Sequence, residues 1–212
     1  MSWRVLPLVF ALETFRCRFD TRPPARSNWR SSPLVAAELA LGIFRKIRSV
    51  SNLKWLDGYS GEAVDELIGL AATHRIDSIV VAFEQAMDQK SARVGMERLS
   101  LEERVILAIE ALERAVNNDG FNSIFITSVR EHVPIMVDAL LRTGCPKTAE
   151  ITKRAIEIEQ KNPFIEEHGA WVENEGRDAA VNECDRLYYQ CPENIEESLF
   201  AFIKANRNKI NP

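Results

Sequence analysis

Residues 100–121 read SLEERVILAIEALERAVNNDGF, and the class of the fold is decided there. Leu101, Val105, Ile109, Leu112 and Val116 recur every three or four residues, the spacing of one face of an α-helix. Ser100 precedes the first of them and Glu103 follows three residues on. That pair is a capping box, in which each side chain accepts from the other residue's backbone N–H. Asn117 and Asn118 are poor helix-interior residues, because their side chains compete for backbone hydrogen bonds. Gly120 can take a positive φ without a Cβ clash, which is how helices commonly stop. Phe121 and Phe125 sit four apart and can enter one core. The stretch therefore predicts a capped helix, a stop at Gly120 and two aromatic anchors beyond it.

The same signals recur on both sides. Upstream, Ser32 and Pro33 open a helical pattern over SPLVAAELALGIFRKIRSV, a second starts at Ser60 and a third at Asp77. Downstream the pattern predicts a short helix near 122–128, then HVPIMVDALLRTG with Gly144 past its end. A helix led by Pro146 follows, then a looser stretch over 160–175. Two final helices read EGRDAAVNECDRLYYQ and PENIEESLFAFIKANRNK. No sustained two-residue alternation is flanked by hairpin turns. The expected fold is all-α, a single multi-helix domain of roughly eight helices.

Length and charge divide the chain. Its 212 residues are enough for one domain with chain to spare. Residues 1–55 carry ten Lys or Arg against three Asp or Glu, whereas 56–212 carry 17 against 28, so +7 and −11 sum to the net −4. The expected organisation is a basic, disordered or loosely attached extension over 1–31 and the helical domain over 32–212. Glu13 and Arg16 interrupt the short apolar run, against a secretory signal; composition alone also fits an organellar transit peptide. The longest apolar runs are too short to span a bilayer as a helix, so no membrane is expected. Cys17, Cys145, Cys184 and Cys191 form no CxxC pair and read as reduced thiols of a cytoplasmic protein.

Catalytic signatures are not found. His74, His132 and His168 lack a partner at ligand or triad spacing, and no Gly-rich phosphate loop occurs. Cys184, Cys191 and His168 match no standard zinc spacing, so no metal and no cofactor is assigned. An enzyme with carboxylates brought together only by the fold is the alternative reading.

Two sets of residues are candidates for binding. Glu102, Glu103, Glu110 and Glu113 fall within an arc of about 100° at 3.6 residues per turn, beside the apolar face. An arc so placed is expected to face solvent as an acidic surface, interrupted by Arg104 and Arg114. A second acidic run lies at 157–178. The other set is the polar turn, Asn117, Asn118, Asp119, Gly120 and Asn122, where exposed side chains and free N–H groups would form a small pocket. Residue chemistry alone favours a structural role for that turn.

ERVILAIEALERAVNNDGFNSIF, VDALLRTGCPKTAEITKRAI, CDRLYYQ and FIKANRNK, in that order, resemble the DNA mimic protein 19-like family over roughly 75–210. The departures are Asp119, where the family often has Gly, and Cys145, where it often has Ala. The resemblance implies a protein-interaction module that offers acidic side chains, in place of DNA phosphates, to a basic DNA-binding transcription factor. It implies a protein partner and no direct contact with nucleic acid. The apolar LFAFIKA end and the Tyr188–Tyr189 pair are where a homodimer would form, against a core role that their spacing favours.

Overall fold

The computed structural model describes residues 53–163, 165–167, 170–171, 174–190 and 193–212. The basic extension and the helix expected over 32–50 lie outside them. Eight α-helices run through the described residues: α1 Val64–Gly69, α2 Ile76–Val94, α3 Leu101–Asp119, α4 Asn122–Ile126, α5 Val133–Arg142, α6 Pro146–Lys161, α7 Glu175–Tyr189 and α8 Ile195–Ala205. The fold is all-α. Its strand content among those residues is one antiparallel pair two residues long, Glu166–Glu167 with Ala170–Trp171, in the stretch read as loose.

Helix α3 is the centre. It packs against α2, α4, α5 and α8, while α6 packs against both α5 and α7. Val105, Ile106, Leu107, Ala108 and Ile109 are all buried, so this helix is enclosed on nearly every side. Its N-terminus is the capping box read from the sequence. The Glu103 N–H donates to Ser100 Oγ at 3.1 Å, and the Ser100 N–H donates to Glu103 Oε2 at 2.9 Å.

Two helix boundaries differ from the reading. α1 begins at Val64 and not at Ser60, because Ser60 bonds Glu62 through both its N–H and its hydroxyl. The cap falls instead to Glu66, whose Oε2 accepts from the Ala63 N–H at 2.8 Å. α3 continues through Asn117, Asn118 and Asp119, which are the last helical residues and not the turn itself. Their side chains face solvent and so do not compete for the backbone ladder. The stop belongs to Gly120 alone, at φ 75°. Phe121 and Phe125 are buried as expected, and Gly144 follows α5 with φ 82°. Cys145 and Cys184 are buried and free.

Candidate functional site

The four glutamates of α3 do not form an exposed acidic surface. Glu103 is 1% exposed and Glu110 7% exposed, which overturns the expectation that the set faces solvent. The arc beside the apolar stripe is covered, because neighbouring elements enclose α3 on that side too. The run of five apolar residues at 105–109 carried this signal: a helix apolar all round is a buried helix.

Glu102 and Glu103 hold the C-terminal segment. Lys209 Nζ donates to Glu102 Oε1 at 2.7 Å, and the Asn211 N–H donates to Glu103 Oε1 at 2.8 Å. Lys90 Nζ donates to the same Glu103 oxygen at 2.7 Å and to the Asn211 carbonyl at 2.9 Å. The Lys209 bond holds the Glu102 carboxyl below the usual range.

Glu110 and Glu113 belong to a second group, assembled from three helices. Glu84 on α2 is buried and accepts from the Arg114 guanidinium, which ties α2 to α3. Glu113 accepts from the Tyr188 hydroxyl of α7 and, at 3.4 Å, from Asn117 Nδ2. Burial pushes Glu113 up to about 7, although both hydrogen bonds favour its charged form. Burial also raises Glu110 well above the usual range, with the nearby charges of Glu84, Glu113 and Glu196 adding to it. Glu84 and Asp88 are raised by burial too, opposed by Arg114. The fold thus brings together carboxylates that lie far apart in the chain. Glu84 is not among the acids that the sequence reading singles out. Its signal was an acid four residues from Val80 and next to Phe83, on the apolar side of α2.

The polar turn is built differently at its two ends. Asn117, Asn118 and Asp119 are exposed, and Gly120 and Phe121 are buried. The Phe121 N–H donates to Asp185 Oδ1 of α7 at 2.7 Å, and the Gly120 N–H bonds the Val116 carbonyl. The Tyr189 hydroxyl donates to that same carbonyl at 2.5 Å, while 51% of Tyr189 stays exposed. Tyr188 packs edge-on against Phe121, with ring centroids 5.5 Å apart. Asn122 takes another role: its Oδ1 accepts from Arg177 Nη1 at 2.8 Å. Arg177 is buried and also bonds Glu159, Asp178 and the Asn162 carbonyl, so it locks α4, α6 and α7 together. Asn122 and part of the acidic run 157–178 are therefore internal partners of one arginine.

These features coincide with a family description. That of DMP19-like protein matches residues 97–206, which is more than half of the chain. The chain belongs to the DMP19-like protein family. Searches of curated proteins and of solved structures return no match. Within the DMP19-like region lie the capping box, the Gly120 stop, the carboxylate cluster of α3 and the paired tyrosines. Among the described residues no three His, Cys, Asp or Glu are grouped as ligands for a metal ion; His168 and Cys191 lie outside them. No helix among the described residues is long and apolar enough to cross a membrane.

Proposed function

We propose that this DMP19-like chain is a protein-interaction module that presents the end of α3 to a protein partner. The presented surface is Asn117, Asn118 and Asp119 with Tyr189 beside them. One observation carries the reading: of the two candidate sets, the Asn-Asn-Asp triplet is the one left exposed on a fixed backbone. Gly120, the Asp185–Phe121 bond and the Tyr189–Val116 bond hold that backbone. A half-exposed, tethered tyrosine suits an interface, since it offers a large contact area at little entropic cost.

The chemistry of the triplet favours a basic partner. Two amide carbonyls and a carboxylate suit the N–H forks of arginine and the ammonium of lysine. Family membership supports a basic DNA-binding protein as that partner. A row of carboxylates standing in for phosphates would have to come from acids other than Glu103 and Glu110, which are buried. The test is capture of a partner on the immobilised chain, followed by binding of that partner to Asn117→Ala/Asn118→Ala and to Tyr189→Ala. Loss of binding in those variants, with helical content unchanged, supports the reading. Unchanged binding overturns it.

A further inference from the structure

Glu113 joins the interior to the surface. It is half-buried near the end of α3, and each of its carboxyl oxygens has its own donor. Oε1 accepts from the Tyr188 hydroxyl of α7. Oε2 accepts from Nδ2 of Asn117, one turn further along the helix, at 3.4 Å. Asn117 is exposed and is the first residue of the Asn-Asn-Asp triplet. With its NH2 group turned to the carboxylate, the carbonyl end of the same planar amide is turned away from it.

The two oxygens are not equivalent toward a proton. A carboxylate only accepts, whereas a carboxylic acid has one O–H to donate. A proton on Oε1 would set that O–H against the Tyr188 hydroxyl, for which Glu113 is the one acceptor among the described residues. Burial and the Glu113 charge raise Tyr188 well above its ordinary range, so the phenol keeps its own proton. That proton would then have to turn among the rings of Phe121 and Tyr189, which pack edge-on against Tyr188. A proton on Oε2 leaves the Tyr188 bond intact and sets an O–H against the Asn117 NH2. A half-turn of the amide about χ2 resolves that clash of donors, because it brings the Asn117 carbonyl to the O–H. Asn117 faces solvent, so the turn meets no packing.

We propose that Glu113 is a proton switch for Asn117: ionised, it holds the amide NH2 inward and leaves the carbonyl outward; protonated, it reverses the amide. The surroundings set where the switch lies. Burial pushes Glu113 up to about 7; the Tyr188 and Asn117 bonds oppose this, and the charge of Glu196 on α8 adds to it. Glu110 on the same helix and the Cys145 thiol ahead of α6 also lie within electrostatic reach of Glu113. Glu84 of α2 engages Arg114, and Asp88, Glu131 and His132 lie around that same cation. The consequence for recognition rests on the reading of the α3 end as the presented surface. Above the midpoint Asn117 offers a carbonyl to an arginine or lysine; below it Asn117 offers an NH2, which such a side chain cannot use. One exposed amide tunes affinity by about twofold, because water competes for the same groups.

The test is an NMR titration of the full, isotopically labelled chain, without a partner, between about pH 5 and about pH 9. The Glu113 carboxyl carbon and the Asn117 side-chain nitrogen should shift with one midpoint. Nuclear Overhauser contacts between the Asn117 NH2 protons and the Glu113 γ-protons should be strong above that midpoint and fade below it. Asn118, exposed and not bonded to Glu113, should not follow. In Glu113→Gln nothing titrates at this position, and the Asn117 amide should keep one orientation over the whole range. In Tyr188→Phe the two midpoints should rise together, which a merely structural tyrosine would not cause. An Asn117 amide unchanged through the Glu113 midpoint overturns the proposal. So does one that titrates as before in Glu113→Gln. The free chain is what is measured, so a partner later found indifferent to Asn117 would remove the recognition reading and leave the switch standing.

Discussion

Asp185 and Gly120 fit each other: a Cβ built on Gly120 would lie 2.6 Å from Asp185 Oδ2. The glycine is required twice over, by its φ of 75° and by the carboxylate that caps Phe121. Gly120→Ala should destabilise the protein by about 1 kcal/mol or more. Asp185→Ala in the same background should recover part of that loss, because it removes the clash and leaves the backbone strain. Urea unfolding of the two single variants and the double measures both effects. Full additivity would show that the residues do not meet.

The interior acids predict an unusual pH dependence. Glu113 rises from its ordinary 4.5 to about 7 on folding, so between those values the folded chain holds a proton that the unfolded chain has released. Stability from this group is present at low pH and is lost as pH rises from about 4.5 to about 7. Burial raises Glu110 too, so it acts in the same direction. The melting temperature should therefore fall across this window, and Glu113→Gln should flatten the fall. Tyr188→Phe removes a hydrogen bond that favours the charged carboxylate, so the Glu113 midpoint should move above its native value in a carboxyl-carbon NMR titration.

Arg177 should be the most sensitive single position. Its side chain is 2% exposed and serves Glu159, Asp178, Asn122 and the Asn162 carbonyl. Arg177→Met leaves Glu159 without that partner and removes the Asn122 tie between the start of α4 and α7, while the Phe121–Asp185 bond stays. The expected loss is about 3–5 kcal/mol, as for other broken buried pairs. Thermal unfolding checks it, and a loss below about 1 kcal/mol would contradict the assigned role.

Glu103 should matter to stability and not to recognition. Glu103→Ala removes the acceptor of the Ser100 and Asn211 N–H groups and one of the two acceptors of the Lys90 ammonium. About 1–3 kcal/mol should be lost. Amide exchange at Asn211 should quicken, because its bond to the rest of the fold is gone.

Helix class, the Ser100 capping box and the Gly120 stop were legible because each rests on neighbours within four residues. The role of the α3 glutamates was not. Glu110 and Glu113 share a helical face with the visible Arg114, but what covers that face is Glu84, 26 residues before Glu110, and Tyr188, 75 residues after Glu113. Helical spacing gives the angle of a residue on its own helix and says nothing of the helix packed over it. The exposure of Asn117–Asp119 was readable, since amides at a helix end seldom enter a core. The internal role of Asn122 was not, because it depends on Arg177, 55 residues later.

We propose that this DMP19-like chain recognises a protein through the end of α3 and not through the glutamates along it. Binding of the captured partner should be titrated at low and high salt against two variant sets: Asn117→Ala/Asn118→Ala/Tyr189→Ala, and Glu102→Gln/Glu103→Gln/Glu110→Gln/Glu113→Gln. The first set should reduce affinity by about tenfold or more, and the second should change it by less than about threefold provided the fold is retained. Salt should weaken binding moderately, because one exposed carboxylate, Asp119, carries the charge. The opposite pattern, with binding lost in the glutamate set, steeply salt-dependent and indifferent to the turn, would contradict the account.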